Sequence, residues 1–138
     1  MSLFLDTGVV VAAHNVRDAN HARALEIVRE VREGVHGTAY SSDFVFDEAV
    51  TLALVRARSR ATALEVGRFF LPERPEQGFV VLAHVDEGTV RRSWDSFRRR
   101  DTQLSFTDWT TVETVRTLRI DRVASFDADL DPWVARLM

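Results

Sequence analysis

Short β-branched runs alternate with segments of helical period along the whole chain, and that alternation restricts its fold more than any other feature. Leu3 to Leu5 reads as a strand, and the stretch after Asp6, apolar on all sides and punctuated by Gly8 and Asn15, suits a short helix. From His21 to Glu33, Leu25, Val28 and Val31 recur at helical spacing among arginine and glutamate, with Gly34 as the stop, which predicts an amphipathic helix. "GTAYSSD" reads as a strand whose Ser41 and Ser42 can cap a helix running from about Asp43 to Arg58. A further helix, Ser59 to Leu71, is broken by Pro72 and Pro75, and the continuous apolar run Gly78 to Val85 reads as a buried strand. Val90, Trp94 and Phe97 stand at i, i+4 and i+7, predicting a helix with a narrow apolar stripe in which Trp94 faces the core. Another helix is expected from about Thr107 to Leu118, "RVASF" as the last strand, and a closing turn of helix in "DPWVARLM".

Strands separated by helices throughout imply an α/β fold with a central parallel sheet and helices on both faces. At 138 residues, with 46% hydrophobic content, the chain suits a single domain, 1–138, with one core and no internal repeat. The absence of cysteine removes disulfides, thiolate zinc sites and cysteine nucleophiles. All 18 basic residues are arginine, so a Walker A loop and a Schiff-base enzyme are excluded as well, each needing a lysine. With a formal charge of -3, nucleic-acid contact would have to come from a local basic patch. No basic residue precedes Asp6 and no apolar run approaches the roughly 18 residues of a membrane span, so the expectation is a cytoplasmic protein without a membrane anchor.

The acidic residues fall in a pattern. Asp6 follows the first strand, Asp127 follows the last, and Asp108 lies in the first turn of the helix after Ser105. In an open parallel sheet the carboxyl ends of the strands share one edge, where acids distant in sequence converge on the ligand crevice. Glu48, in the helix after the second strand, lies on a stripe with Phe44, Leu52 and Val55 that should point inward. A buried carboxylate must be neutralised, paired or bound to a metal, and four acids without a lysine favour the metal. Hard cations such as Mg²⁺ take oxygen ligands and, with phosphate substrates, support phosphodiester hydrolysis.

On these residues the chain resembles the PIN-domain ribonucleases: "FLDTGVVVA", "SSDFVFDEAVTL", "LSFTDWTTV" and "VASFDADL" correspond to that family's four blocks and span essentially the whole sequence. The resemblance, nearest to the VapC-type toxins of toxin–antitoxin pairs, implies a three-layer PIN-like fold and Mg²⁺- or Mn²⁺-dependent cleavage of RNA. Asp6, Glu48, Asp108 and Asp127 match its acidic positions, as catalytic residues and metal ligands. Thr7 matches a small polar position beside the first acid, Ser105 the residue opening the third block, and Asp129 a possible accessory acid. A small antitoxin that inserts a segment into the acidic cleft and a toxin homodimer are implied in the same way.

Plainer readings stand beside these. "SFTD" is also a capping pattern, an aspartate after a strand is often a helix cap, and Asp47 competes with Glu48. Asp127, Asp129 and Asp131 imitate a calcium loop, but Pro132 and Met138 stand where glycine and glutamate are required. His14, His21, His36 and His84 have no metal-binding spacing. Arg91, Arg92, Arg98, Arg99 and Arg100, with Arg56, Arg58 and Arg60, suit RNA phosphates or an ordinary solvated surface equally. Trp109 is a candidate to line the cleft or simply to pack. The rival functions are an aspartyl phosphotransferase, weakened by Gly8 at the place of a second aspartate, and a non-catalytic PIN-like module that binds RNA or protein.

Overall fold

The computed structural model describes residues 1–138. Five strands, β1 (Ser2–Leu5), β2 (Thr38–Ser42), β3 (Val80–Ala83), β4 (Arg122–Ala124) and β5 (Arg136–Leu137), form one sheet in the order β3-β2-β1-β4-β5. Every pairing in it is parallel. The helices are α1 (Thr7–Ala13), α2 (His21–Arg32), α3 (Asp43–Ala57), α4 (Arg60–Phe70), α5 (Glu87–Arg99) and α6 (Phe106–Leu118). The α/β architecture expected from the alternation is therefore the one observed.

β1 is the central strand, and Leu3, Phe4 and Leu5 are all fully buried because both faces of the sheet are covered there. They join Val9, Ile27, Val45, Val66, Trp109, Val112 and Leu130 in one continuous core. Truncating a side chain such as Phe4 to alanine should cost about 3–5 kcal/mol, because such a site cannot collapse around the cavity. The chain leaves β1 toward β2 on one side and later returns through β4 on the other. That reversal makes a crevice at the carboxyl end of β1.

Several expectations fail, each for a packing reason. The run Gly78–Val85 supplies an edge strand, not a buried one: β3 pairs only with β2, and Phe79 and Val81 are about half exposed. The Arg32 guanidinium, 5.1 Å from the ring centre, covers part of Phe79. The last segment is not a helical turn; it forms β5, which completes the far edge by accepting from the Val123 and Ser125 amides at the Ala135 and Leu137 carbonyls. A helix there would have left those amides without partners. In α2 the buried face is Ala24, Ile27, Val28 and Val31, while Leu25 is exposed. In α3 the buried face runs through Val45, Ala49 and Ala53, so Glu48 sits half-buried at its margin and Val55 is exposed.

The largest departure is α5. Its buried positions are Thr89 and Ser93, the Ser93 hydroxyl donating to the Thr89 carbonyl at 2.7 Å, whereas Trp94 is 54% and Phe97 41% exposed. Small hydroxyl residues let α5 lie close against α6, and the predicted apolar stripe is left on the outside.

Candidate active site

Asp6 ends β1 and begins α1. Its Oδ1 accepts from the Thr7 amide at 2.9 Å and its Oδ2 from the Ser125 hydroxyl at 2.8 Å. The carboxyl group is 7% exposed, and burial raises its pKa from 3.8 to about 6. The hydrogen bonds from Ser125 and Thr7 pull that value down, while the negative charges of Asp108 and Glu48 push it up.

Asp108 occupies the third position of α6 and closes a capping box. Its amide donates to Ser105 Oγ at 3.1 Å, and its Oδ2 accepts from the Ser105 amide at 2.8 Å. The plain capping reading is thus correct as local structure, and it does not exhaust the residue's environment. Burial raises the Asp108 pKa, the Ser105 bonds oppose the rise, and Glu48 and Asp127 add to it by repulsion. Glu48 is half-buried in α3 and its charge bears on both Asp6 and Asp108, whereas Asp47 beside it is exposed. Asp127 follows β4, exposed, and its Oδ1 accepts from the Asp129 amide at 2.9 Å.

Asp108 and Glu48 thus act on Asp6, and Glu48 and Asp127 act on Asp108, so Asp108 is the acid that links the other three. The four are not drawn together further: no three acidic or histidine side chains are close enough as they stand to hold an ion. Each carboxylate of Asp6, Asp108 and Asp127 is turned to its own backbone or hydroxyl donor. None of the four acids belongs to any of the twelve ion pairs of the chain. Thr7 Oγ1, beside Asp6, is buried without a hydrogen-bond partner. Arg136 is the one cation whose charge bears on the cluster, through Asp127, and it is not ion-paired there; oxygen-only donors, negative charge that no ion pair offsets and an orphaned hydroxyl suit a hard divalent cation. Asp129 is exposed and is not among the charges that shift Asp6 or Asp108.

Ser125 was not anticipated. It is 1% exposed at the end of β4, and its Oγ donates to Asp6 while accepting from the Asp127 amide at 3.1 Å. Two acidic blocks 121 residues apart in sequence are thereby tied by one hydroxyl. The Ser125 carbonyl in turn accepts from Arg136 Nη1 at 3.0 Å, and Arg136 is held by both carboxylate oxygens of Asp131, at 2.8 and 3.2 Å. The sequence carried one clue, a serine two residues before Asp127 in "VASFD"; Arg136 carried none, because its place depends on β5.

With this geometry in view, a family model described as "PIN domain" matches residues 3–132. The chain belongs to the PIN-domain family. A curated "VapC ribonuclease" of Archaeoglobus fulgidus is 23% identical over 130 residues, covering 93% of this chain and 78% of that protein. Among solved structures, the fold resembles Mycobacterium tuberculosis VapC20, described as a sarcin-ricin loop cleaving toxin: the TM-score is 0.79 at 24% identity, with 94% of this chain and 93% of that one covered. FitAcB from Neisseria gonorrhoeae matches with a TM-score of 0.64 at 14% identity, covering 99% and 96%. At these identities the structures speak for the fold.

In this PIN domain Trp109 does not line the cleft. It is fully buried, edge-on to Trp133 at 4.9 Å. The histidines do structural work: His14 and His21 bond the Val10 and Ala12 carbonyls through Nδ1, His36 pairs with Glu30, and His84 with Asp43. A concavity of about 470 Å³, walled by Arg32, Arg68 and Phe79 among others, contains none of the four acids. No helix is long and apolar enough to cross a membrane.

Proposed function

We propose that this PIN domain is a divalent-metal-dependent endoribonuclease, acting in the cytoplasm as the toxin of a toxin–antitoxin pair. The observation that carries the reading is Asp6: a buried carboxyl with its pKa raised to about 6, facing Glu48 and Asp108, with no cationic side chain paired to any of them. A site built to be stable on its own would have put an arginine there, and the chain has 18 of them. The names of its relatives, a VapC ribonuclease and an RNA-cleaving VapC20, support RNA as the substrate.

Asp6, Glu48, Asp108 and Asp127 would hold Mg²⁺ or Mn²⁺. When bound, such a cation supplies Lewis acidity: it activates water, orients the phosphodiester and offsets charge on the leaving oxygen. The protein's own contribution is positional. Ser125 fixes Asp6 and the backbone of Asp127, the Ser105 capping box fixes Asp108, and the Thr7 hydroxyl remains free to accept or donate beside Asp6. The starts of α1, α3 and α6 converge at the same edge, where their partial positive charge favours both the carboxylates and an entering phosphate. An antitoxin presenting a basic segment would complement this cluster of acids.

The test is calorimetric titration of Mn²⁺ into the chain and its Asp6→Asn variant, followed by incubation of both with total RNA. Binding and cleavage that are present together and vanish together uphold the proposal. Absence of metal binding in the unsubstituted chain would leave a non-catalytic binding module.

A further inference from the structure

Two cavities lie away from the acidic site and share one wall, His14. The first, about 350 Å³, is framed by the loop after α1 and the corner between α3 and α4, and its walls include His14, Asn15, Arg17, Arg56 and Thr62. That corner is only Arg58 and Ser59, with Arg58 in the left-handed region at φ 49°, so the last turn of α3 and the first turn of α4 reach the same space. Arg56 stands two turns beyond Glu48, roughly 12 Å along the axis of α3, and none of the four acids lines either cavity.

The charge of the first cavity is one-sided. No carboxylate lines it, and neither Arg17 nor Arg56 belongs to any ion pair. The Asn15 side-chain oxygen accepts from the Arg17 amide at 3.1 Å, which steadies the loop and leaves the Asn15 amide group to donate. His14 Nδ1 is committed to the Val10 carbonyl at 2.8 Å, so Nε2 is its free ring nitrogen. Guanidinium groups, an amide and a hydroxyl without a facing acid match a terminal phosphate, whose three acceptor oxygens suit fork-shaped donors.

The adjoining cavity, about 470 Å³, has a different character. Phe69 and Phe79 give it ring surface, and the Arg32 guanidinium lies 5.1 Å from the centre of the half-exposed Phe79 ring. His14 meets Phe69 edge-on at 5.9 Å. A flat heteroaromatic ring can stack on Phe79 or Arg32, with the Gln77 amide and the carboxylates of Glu65 and Glu73 to meet its polar edge. Arg68 holds Glu73 only at 3.8 Å, with both groups exposed, so that pair yields to a ligand at little cost. Carboxylates repel phosphate, which assigns the ring to this cavity and the phosphate to the other.

We propose that the two cavities together bind a nucleoside 5′-phosphate, its phosphate at Arg17 and Arg56 and its base beside Phe79. The site is separate from the acidic cluster, and the proposal does not depend on the ribonuclease reading. A free nucleotide and the 5′ end of an RNA present the same chemistry to it.

The test uses the full chain in EDTA, so that no divalent cation can bridge a phosphate to the acidic cluster. The four nucleoside 5′-monophosphates, their nucleosides and inorganic phosphate are titrated by calorimetry. At least one monophosphate should bind about tenfold or more tightly than its own nucleoside and than inorganic phosphate, because both halves contribute. The Arg17→Ala, Arg56→Ala double variant should reduce that nucleotide to the affinity of its nucleoside. Phe79→Ala should weaken the nucleotide by about tenfold and leave inorganic phosphate unchanged. Arg17, Arg56 and Phe79 are exposed, so these variants should fold, which circular dichroism verifies. A 5′-phosphorylated trinucleotide that binds as tightly as the mononucleotide identifies an RNA end as the source, and one that is excluded identifies a free nucleotide; either upholds the site. The proposal is overturned when no monophosphate binds more tightly than inorganic phosphate. It is equally overturned when Arg91→Ala, remote on α5, weakens binding as much as Arg17→Ala, since the attraction is then general to the surface.

Discussion

Asp6 and Asp86 have the same local structure and opposite electrostatics. Each begins a helix, Asp6 at α1 and Asp86 at α5, and each accepts a hydrogen bond from a backbone amide of the first turn, Thr7 at 2.9 Å and Thr89 at 2.8 Å. At Asp86 the Thr89 bonds lower the pKa, because the side chain stands in water and the charged form is simply the better acceptor. At Asp6 burial overrides the same kind of bond and raises the pKa to about 6, with Asp108 and Glu48 adding to the rise. A cap aspartate is therefore ordinary structure or candidate chemistry according to what lies on its far side. At Asp6 that is more acid.

The sharpest way to break this comparison is to neutralise one member of each class. Asp6→Asn and Asp108→Asn should each lower the rate of metal-dependent RNA cleavage by at least about 100-fold, exceeding what is typical for groups that only support a ligand. Cleavage assays with Mn²⁺ present test it, and retention of activity in either variant would remove that acid from the site. The second effect is on stability and has the opposite sign. The folded chain holds the Asp6 pKa near 6, above the 3.8 of an unperturbed aspartate, so ionisation opposes folding. The stability of the neutral form is fully present below about pH 4 and is lost as pH rises through 6. A gap of about two units amounts to at most roughly 3 kcal/mol. Metal-free Asp6→Asn should consequently melt higher than the unsubstituted chain at pH 7.5 and converge with it near pH 4. Mn²⁺ should close the gap at pH 7.5 by stabilising only the unsubstituted chain. A variant that is no more stable at pH 7.5 would mean that the buried charge is compensated.

The same contrast separates what the sequence made legible from what it concealed. The alternation of runs determines a parallel α/β sheet, the ends of its strands locate Asp6 and Asp127, and the start of α6 locates Asp108, because those inferences use only period and chain order. Which face of a helix is buried depends on how closely its neighbour approaches. That is why Thr89 and Ser93, not Trp94 and Phe97, face inward in α5, and why Leu25 and Val55 are outside. Edge position is likewise a property of the assembled sheet, and no local pattern distinguished the exposed β3 run from a central strand or revealed the two-residue β5. Ser125 escaped because its partner Asp6 is 119 residues away.

Ser125 offers a finer test, since it ties the buried member of the pair to a second acid, Asp127, whereas the hydroxyl that supports Asp86 belongs to Thr89 of its own helix. Ser125→Ala removes one hydrogen bond to the Asp6 carboxylate and the acceptor for the Asp127 amide. Mn²⁺ affinity measured by calorimetry should weaken by about 10- to 100-fold, as for loss of an outer-shell partner. Because that bond lowers the Asp6 pKa, the midpoint of the metal-free pH–stability curve should also move up. Ser125→Thr keeps the hydroxyl and should restore both readouts, whereas a serine that merely packs would give the same values in the alanine and threonine variants.

The smallest effect is expected at Asp86, and its smallness is the point of the comparison. Asp86→Asn retains a side-chain oxygen able to accept from Thr89, and asparagine caps helices about as well as aspartate. The exposed charge it removes has no buried acid facing it, so RNA cleavage and Mn²⁺ affinity should be unaltered. Only the acid limb of the stability curve should differ: Asp86 is held below its ordinary pKa, so its contribution is present above about pH 4 and lost on acidification, and the variant loses less between neutral and strongly acidic pH. A fall in cleavage comparable to that of Asp6→Asn would show that charge at any helix start supports activity, and the distinction between cap and site would have to be sought away from burial.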